Sequence, residues 1–140
     1  MKTRARGIRL PEELAEEIER ERERTGGNFS ETVAELLEEA VRMRRAPGIV
    51  FRSGPTGRRA SVAGTGVDVW EIVAAYRRSD EDRERLEDSF PELDEQQLRA
   101  ALNYHELSPE AIERRLERED ELGPEQVYEE HPFMRSEGRR

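Results

Sequence analysis

The run Phe90-Pro91-Glu92-Leu93-Asp94-Glu95-Gln96-Gln97-Leu98-Arg99-Ala100-Ala101-Leu102-Asn103-Tyr104-His105 decides the fold of the middle of the chain. Pro91 cannot continue a helix, so it ends the one that carries Phe90. Asp94 followed three residues later by Gln97 is a capping-box spacing and opens a new helix. In that helix Leu98, Ala101, Leu102 and His105 share one face. Upstream, Ser79 with Asp82 caps a short helix presenting Leu86 and Phe90. Before it, Val69, Ile72, Val73 and Tyr76 recur at i, i+3, i+4 and i+7, which predicts an amphipathic helix. Ile49-Val50-Phe51 and Arg59-Ala60-Ser61-Val62 flank the turn-rich Ser53-Gly54-Pro55-Thr56-Gly57 and predict a short hairpin.

Residues 1–45 read as strand, helix, helix. Arg6-Gly7-Ile8-Arg9-Leu10 alternates, with Ile8 and Leu10 on one face and Gly7 and Arg9 on the other. Pro11 stops the strand and opens a helix, where its missing N–H costs nothing. That helix is expected from Glu12 to Arg24, with Leu14 and Ile18 one turn apart and Gly26-Gly27 ending it. Asn28 with Glu31 caps a second helix reaching Arg44, with Val33, Leu36, Leu37, Ala40 and Val41 on one stripe. Ala46-Pro47-Gly48 marks a domain boundary. Beyond residue 105 a helix is expected from Pro109 to Leu122, capped by Ser108 and stopped by Gly123-Pro124.

Charged residues make up 41% of the 140 and apolar ones 34%, too few for one large core. One strand and two short helices bury little, and a lone strand leaves its backbone groups unpaired. Antiparallel pairing with the same strand of a second copy removes both problems, so a homodimer or higher even oligomer is expected. The net charge of −9 is unevenly spread. Lys2, Arg4, Arg6 and Arg9 stand at the front without an acid, whereas residues 80–97 hold nine acids and two bases. Such a chain suits two unlike partners. The absence of cysteine removes disulfides, thiolate zinc sites and thiol nucleophiles. No apolar run approaches a membrane span and no signal-peptide region follows Met1, so a cytoplasmic protein without a membrane partner is expected.

Residues 3–45 resemble the ribbon-helix-helix family of DNA-binding proteins, on the alternating basic strand, the Ile8-Arg9-Leu10-Pro11 exit and the Gly27-Asn28-Phe29-Ser30-Glu31 helix start. Residues 47–105 resemble domain-of-unknown-function family 433, a small tri-helical, homeodomain-like module. That likeness rests on Gly57-Arg58 with Gly64-Thr65, on Val69 to Ile72, and above all on Phe90-Pro91-Glu92-Leu93 through Ala100-Ala101-Leu102-Asn103-Tyr104. Family members carry Gly-Thr-Arg where this chain has Gly64-Thr65-Gly66. The expected fold is mainly α with one short N-terminal strand. It comprises a ribbon-helix-helix dimer over residues 1–46, a tri-helical, helix-turn-helix-like domain with a short hairpin over 47–105, and an acidic helical tail over 106–140.

A two-stranded ribbon fits the major groove of B-DNA and presents alternate side chains to base edges. The resemblance puts the outward positions at Ala5, Gly7 and Arg9, of which only Arg9 can pair bidentately with guanine; Thr3, Arg4 and Arg6 reach the rim or the phosphates. The free N–H groups near Asn28, Phe29 and Ser30 suit a phosphate, although a plain helix cap would use the same residues. Arg42, Arg44, Arg45, Arg52, Arg58 and Arg59 offer a further contact to flanking DNA. The acids of residues 80–97 argue that the middle module contacts protein rather than DNA.

Catalysis finds no support. His105 reads as a core histidine, His131 has no companion, and neither metal spacing nor a phosphate loop is present. The chain is expected to be no enzyme and to need no cofactor. Family 433 members are typically encoded beside a PIN-like ribonuclease toxin, so the resemblance implies an antitoxin that represses its own operon and neutralises such a toxin. Ile112, Leu116, Tyr128, Phe133, Met134 and Arg135 in the acidic tail are the expected toxin contacts. A chain ending at Glu106 would then keep DNA binding and lose neutralisation. The alternatives are a stand-alone ribbon-helix-helix regulator whose second domain senses a ligand or protein, and an adaptor whose ribbon never meets DNA.

Overall fold

The computed structural model describes residues 2–55 and 57–130, with side chains through residue 120. Among the described residues six helices and one two-stranded antiparallel hairpin make a mainly α fold. The chain divides into two compact units, residues 1–42 and 43–140.

In the first unit residues 2–11 carry no regular structure, and then α1 (Glu12–Thr25) begins. The expected strand over residues 6–10 therefore has no ladder within one chain. A ladder needs a second row of donors and acceptors, and unit 1 has no second extended segment to supply them. α1 ends where predicted: Gly26 takes the left-handed conformation and its N–H donates to the Arg22 carbonyl at 2.8 Å. Ile18 is buried, but Leu14 one turn earlier is exposed. α2 (Phe29–Arg45) follows.

The second unit opens on Gly48, whose φ of +94° and close approach to Ala100 (3.3 Å from an added Cβ) leave room only for glycine. β1 (Ile49–Gly54) pairs with β2 (Gly57–Val62), Ile49 opposite Val62 and Gly54 opposite Gly57. Next come α3 (Val69–Arg78), α4 (Arg83–Ser89), α5 (Glu95–Leu107) and α6 (Pro109–Glu130). Asp94 and Gln97 form the predicted capping box, with Asp94 Oδ1 accepting from Gln97 N–H at 2.8 Å and Gln97 Oε1 from Asp94 N–H at 2.9 Å. α4 departs from expectation. Asp82 alone caps it, accepting from the Glu84 and Arg85 N–H groups, while Ser79 ends α3. The Ser79 hydroxyl donates instead to the Ala75 carbonyl at 2.9 Å, and Asp80 and Glu81 lie between it and Asp82 at φ of 54° and 59°.

One core joins the hairpin to all four helices, through Ile49, Val62, Ile72, Leu86, Leu98 and Ile112. In α5 the buried stripe is Leu98, Ala101 and Tyr104, rotated from the expected one; Leu102 and His105 are half-buried. Tyr104 meets Phe51 edge-on at 5.9 Å between centroids, a contact that draws the larger ring inward. α6 also differs. It passes through Gly123-Pro124 to Glu130 instead of stopping; proline's fixed φ suits a helix, although it forfeits a hydrogen bond and crowds the carbonyl four residues back. Its first three turns pack on α3 and α5, so residues 109–120 belong to the core of this unit rather than to a separate tail.

Candidate functional site

Two groupings of residues bear on function, one in each unit. In unit 1 residues 2–9 are exposed throughout, so Thr3, Arg4, Ala5, Arg6, Gly7 and Arg9 are all accessible. Asn28 caps α2 as predicted, its Oδ1 accepting from Glu31 N–H at 2.8 Å, and Asn28, Phe29 and Ser30 are exposed at that helix start. Of the expected apolar stripe of α2, Leu36, Leu37 and Val41 face solvent, while Val33 and Ala40 are half-buried. Leu37 is 53% and Val41 51% exposed, with Leu36 beside them, whereas the buried positions are Thr32 and Glu39. Ile8 at 63%, Leu14 and Phe29 extend the exposed apolar residues of the unit. Two helices that bury Ile18 alone among their described apolar residues do not cover this stripe themselves.

In unit 2 the charged centre is Asp68, which is 2% exposed. Its Oδ1 accepts from the Ser61 hydroxyl at 2.6 Å and from Arg52 Nη2 at 3.1 Å, while Arg59 Nε lies 3.3 Å from Oδ2. Arg52 Nε also donates to Ser61 Oγ at 3.1 Å. This explains why Ser61 is wholly buried on a strand otherwise lined by Ala60 and Val62. Arg58 donates to Ser53 Oγ and to the Phe51 carbonyl. Three of the six arginines read as a flanking DNA contact thus serve the hairpin and its Asp68 anchor. The sequence reading did not single out Asp68, although Asp68 followed by Glu71 has the same capping-box spacing as Asp94 with Gln97.

Glu71 Oε2 accepts from the Asp68 N–H at 2.8 Å. Burial pushes its carboxyl up to about 7, and the Asp68 charge adds to the rise; the backbone hydrogen bond, Arg59 and Arg115 act against it. The sign is that of a raised acid: its contribution is fully present below the ordinary carboxylate value of 4.5 and is lost as pH climbs through about 7. Glu71→Gln keeps the cap acceptor and removes the titration. It is expected to raise stability at pH 8 by about 2 kcal/mol and to leave pH 4 nearly unchanged, read from urea midpoints at the two pH values.

α6 is held by a second charged set. Glu113 accepts from Arg77 and lies 2.7 Å from His105 Nε2. Arg77 first and His105 second hold its carboxyl down at about 2. His105 is therefore half-buried and paired, not a core histidine. Arg115 lies over the Trp70 ring at 4.7 Å and pairs with Glu119. Of the expected toxin contacts, Ile112 is buried and Leu116 half-buried against the core. The Tyr128 side chain and Phe133, Met134 and Arg135 lie outside the described residues. A groove of about 580 Å³ also runs along α3, between Trp70 and Phe90.

Among the described residues no group of three His, Cys, Asp or Glu is placed to hold a metal ion, and no helix is long and apolar enough to cross a membrane. Residues 49–105, from β1 to α5, match the family described as "Protein of unknown function (DUF433)". α6 lies beyond the matched stretch although it completes the same core. No curated protein and no solved structure matches the chain.

Proposed function

We propose that this chain is a cytoplasmic antitoxin and autorepressor. Two copies pair their N-terminal segments into an antiparallel ribbon, cover the exposed faces of α1 and α2, and set the ribbon in the major groove of operator DNA. The same chain binds and neutralises a PIN-like ribonuclease toxin, the part of the proposal that rests on the resemblance of residues 47–105. The observation that carries the DNA reading is the exposed apolar set Ile8, Leu37 and Val41 in the same unit as a basic segment with no acid.

The test is a gel-shift titration on the DNA upstream of the chain's own gene, at several salt concentrations. Arg9→Ala is expected to weaken specific binding by about 1–3 kcal/mol and to relax preference at one base pair. Leu37→Glu is expected to convert the dimer to a monomer in sedimentation and to remove the shift. Unchanged affinity in both variants would overturn the ribbon. Co-expression with the adjoining gene's product tests the toxin half: a toxic neighbour must co-purify and lose its toxicity. The groove along α3 favours a second reading, a stand-alone regulator whose second unit senses another molecule. A harmless neighbour that does not bind would decide for it.

A further inference from the structure

The groove of about 580 Å³ in unit 2 is built by the spacing of α3. Trp70, Glu71, Ala74 and Arg78 recur along one face of that helix, and the methyl of Ala74 leaves the space that a longer side chain would fill. The opposite wall is the α4–α5 connection, where Phe90 ends α4, Pro91 breaks it, and Glu92 stands exposed. The volume lies in the range of sites that accept several side chains of a partner or a small molecule.

The charge of the walls selects between occupants. Among the described lining residues Glu71 and Glu92 stand against the cation Arg78, with Arg115 over the Trp70 ring, and α4 with its following loop supplies most of the nine acids of residues 80–97. Among the described residues no ion pair engages the Glu92 carboxylate. Burial pushes the Glu71 carboxyl up to about 7, with Asp68 adding to the rise and Arg59 and Arg115 opposing it. A cation placed beside Glu71 would favour its ionised form. Nucleic acid is repelled by such a rim.

We propose that this groove docks an apolar peptide segment of a partner protein that carries an arginine or lysine, its apolar side chains over Ala74 between Trp70 and Phe90 and its cation at Glu71 and Glu92. The inference is independent of the DNA reading and of whether the partner is a toxin, since it concerns unit 2 alone. Trp70 is the chain's single tryptophan, so its emission reports occupancy.

The test is selection of random-peptide phage on the full-length chain, followed by titration of synthetic peptides against Trp70 fluorescence. The expected peptides combine large apolar residues with arginine or lysine and shift the emission. Their affinity falls on the order of tenfold for Glu92→Arg, an exposed substitution that leaves the fold alone, and further for Ala74→Phe, which fills the groove. Selected peptides that are neutral or acidic, or that bind both variants as tightly as the parent, would overturn the proposal. So would the absence of any enriched peptide. If Glu92→Arg changes the oligomeric state in sedimentation and no peptide is enriched, a second copy is the occupant and the proposal also fails.

Discussion

Replacing Asp68 with alanine is expected to cost unit 2 about 3–4 kcal/mol, read as a drop in the urea midpoint at pH 7. The carboxylate is 2% exposed and is shared by Ser61, Arg52 and Arg59. Its removal leaves two guanidinium groups facing each other across the hairpin without their common anion. Arg52 keeps 37% of its side-chain exposure and Arg59 30%; water therefore relieves part of the penalty, and the lower half of the range for breaking a buried pair applies. Asp68→Asn retains an acceptor for Ser61 and loses the charge. It is expected to fall between the parent and Asp68→Ala. A loss below about 1 kcal/mol in Asp68→Ala would mean that the arginines find water as readily as the carboxylate.

A chain ended after Leu107 is expected to lose the cooperative transition of unit 2, a destabilisation on the order of 4 kcal/mol or more. The cut removes Ile112 and Leu116 from the core, Arg115 from the Trp70 ring and Glu113 from Arg77 and His105. Deleting a buried isoleucine alone costs about 2–5 kcal/mol by transfer and cavity terms. A cut at Glu106 therefore cannot separate neutralisation from folding, contrary to what the sequence suggests. A cut after Asp120 can. It removes Tyr128, Phe133, Met134 and Arg135 while keeping every described side-chain contact of α6, and its urea midpoint is expected to lie within about 0.5 kcal/mol of the parent. Should the chain neutralise a toxin as proposed, retained neutralisation in that shorter chain would move the contact away from residues 121–140. Circular dichroism and a melting curve on both truncations check the pair.

The parts of unit 2 that were legible in the sequence are those governed by local rules. The Asp94–Gln97 box and the Pro91 break depend on residues within four positions, the hairpin pairs residues no more than thirteen apart across one tight turn, and each stands where expected. What escaped depended on distant partners. Tyr104 rather than Leu102 turns inward because Phe51, fifty-three positions earlier, meets its ring. Ile112 reads as an exposed anchor until α6 lies against α3 and α5. Asp68 is a middle case: its cap spacing with Glu71 is local, but its hold on Arg52 and Arg59 needs the hairpin closed. In unit 1 the pattern of α2 identifies an apolar stripe, yet the described residues of that unit lay little over it. Periodicity says that a face wants a partner, not where the partner comes from.

The bare stripe on α2 has a thermodynamic consequence of its own. A pair of helices in which Ile18 is the buried apolar side chain among the described residues has almost no heat-absorbing transition to show on its own. Any sharp melting of residues 1–42 is then the signature of whatever covers the stripe, and its midpoint rises with the logarithm of that partner's concentration. If a second copy covers the stripe, as proposed, order in this stretch of chain becomes a property of the solution as much as of the molecule, and dilution acts as a denaturant.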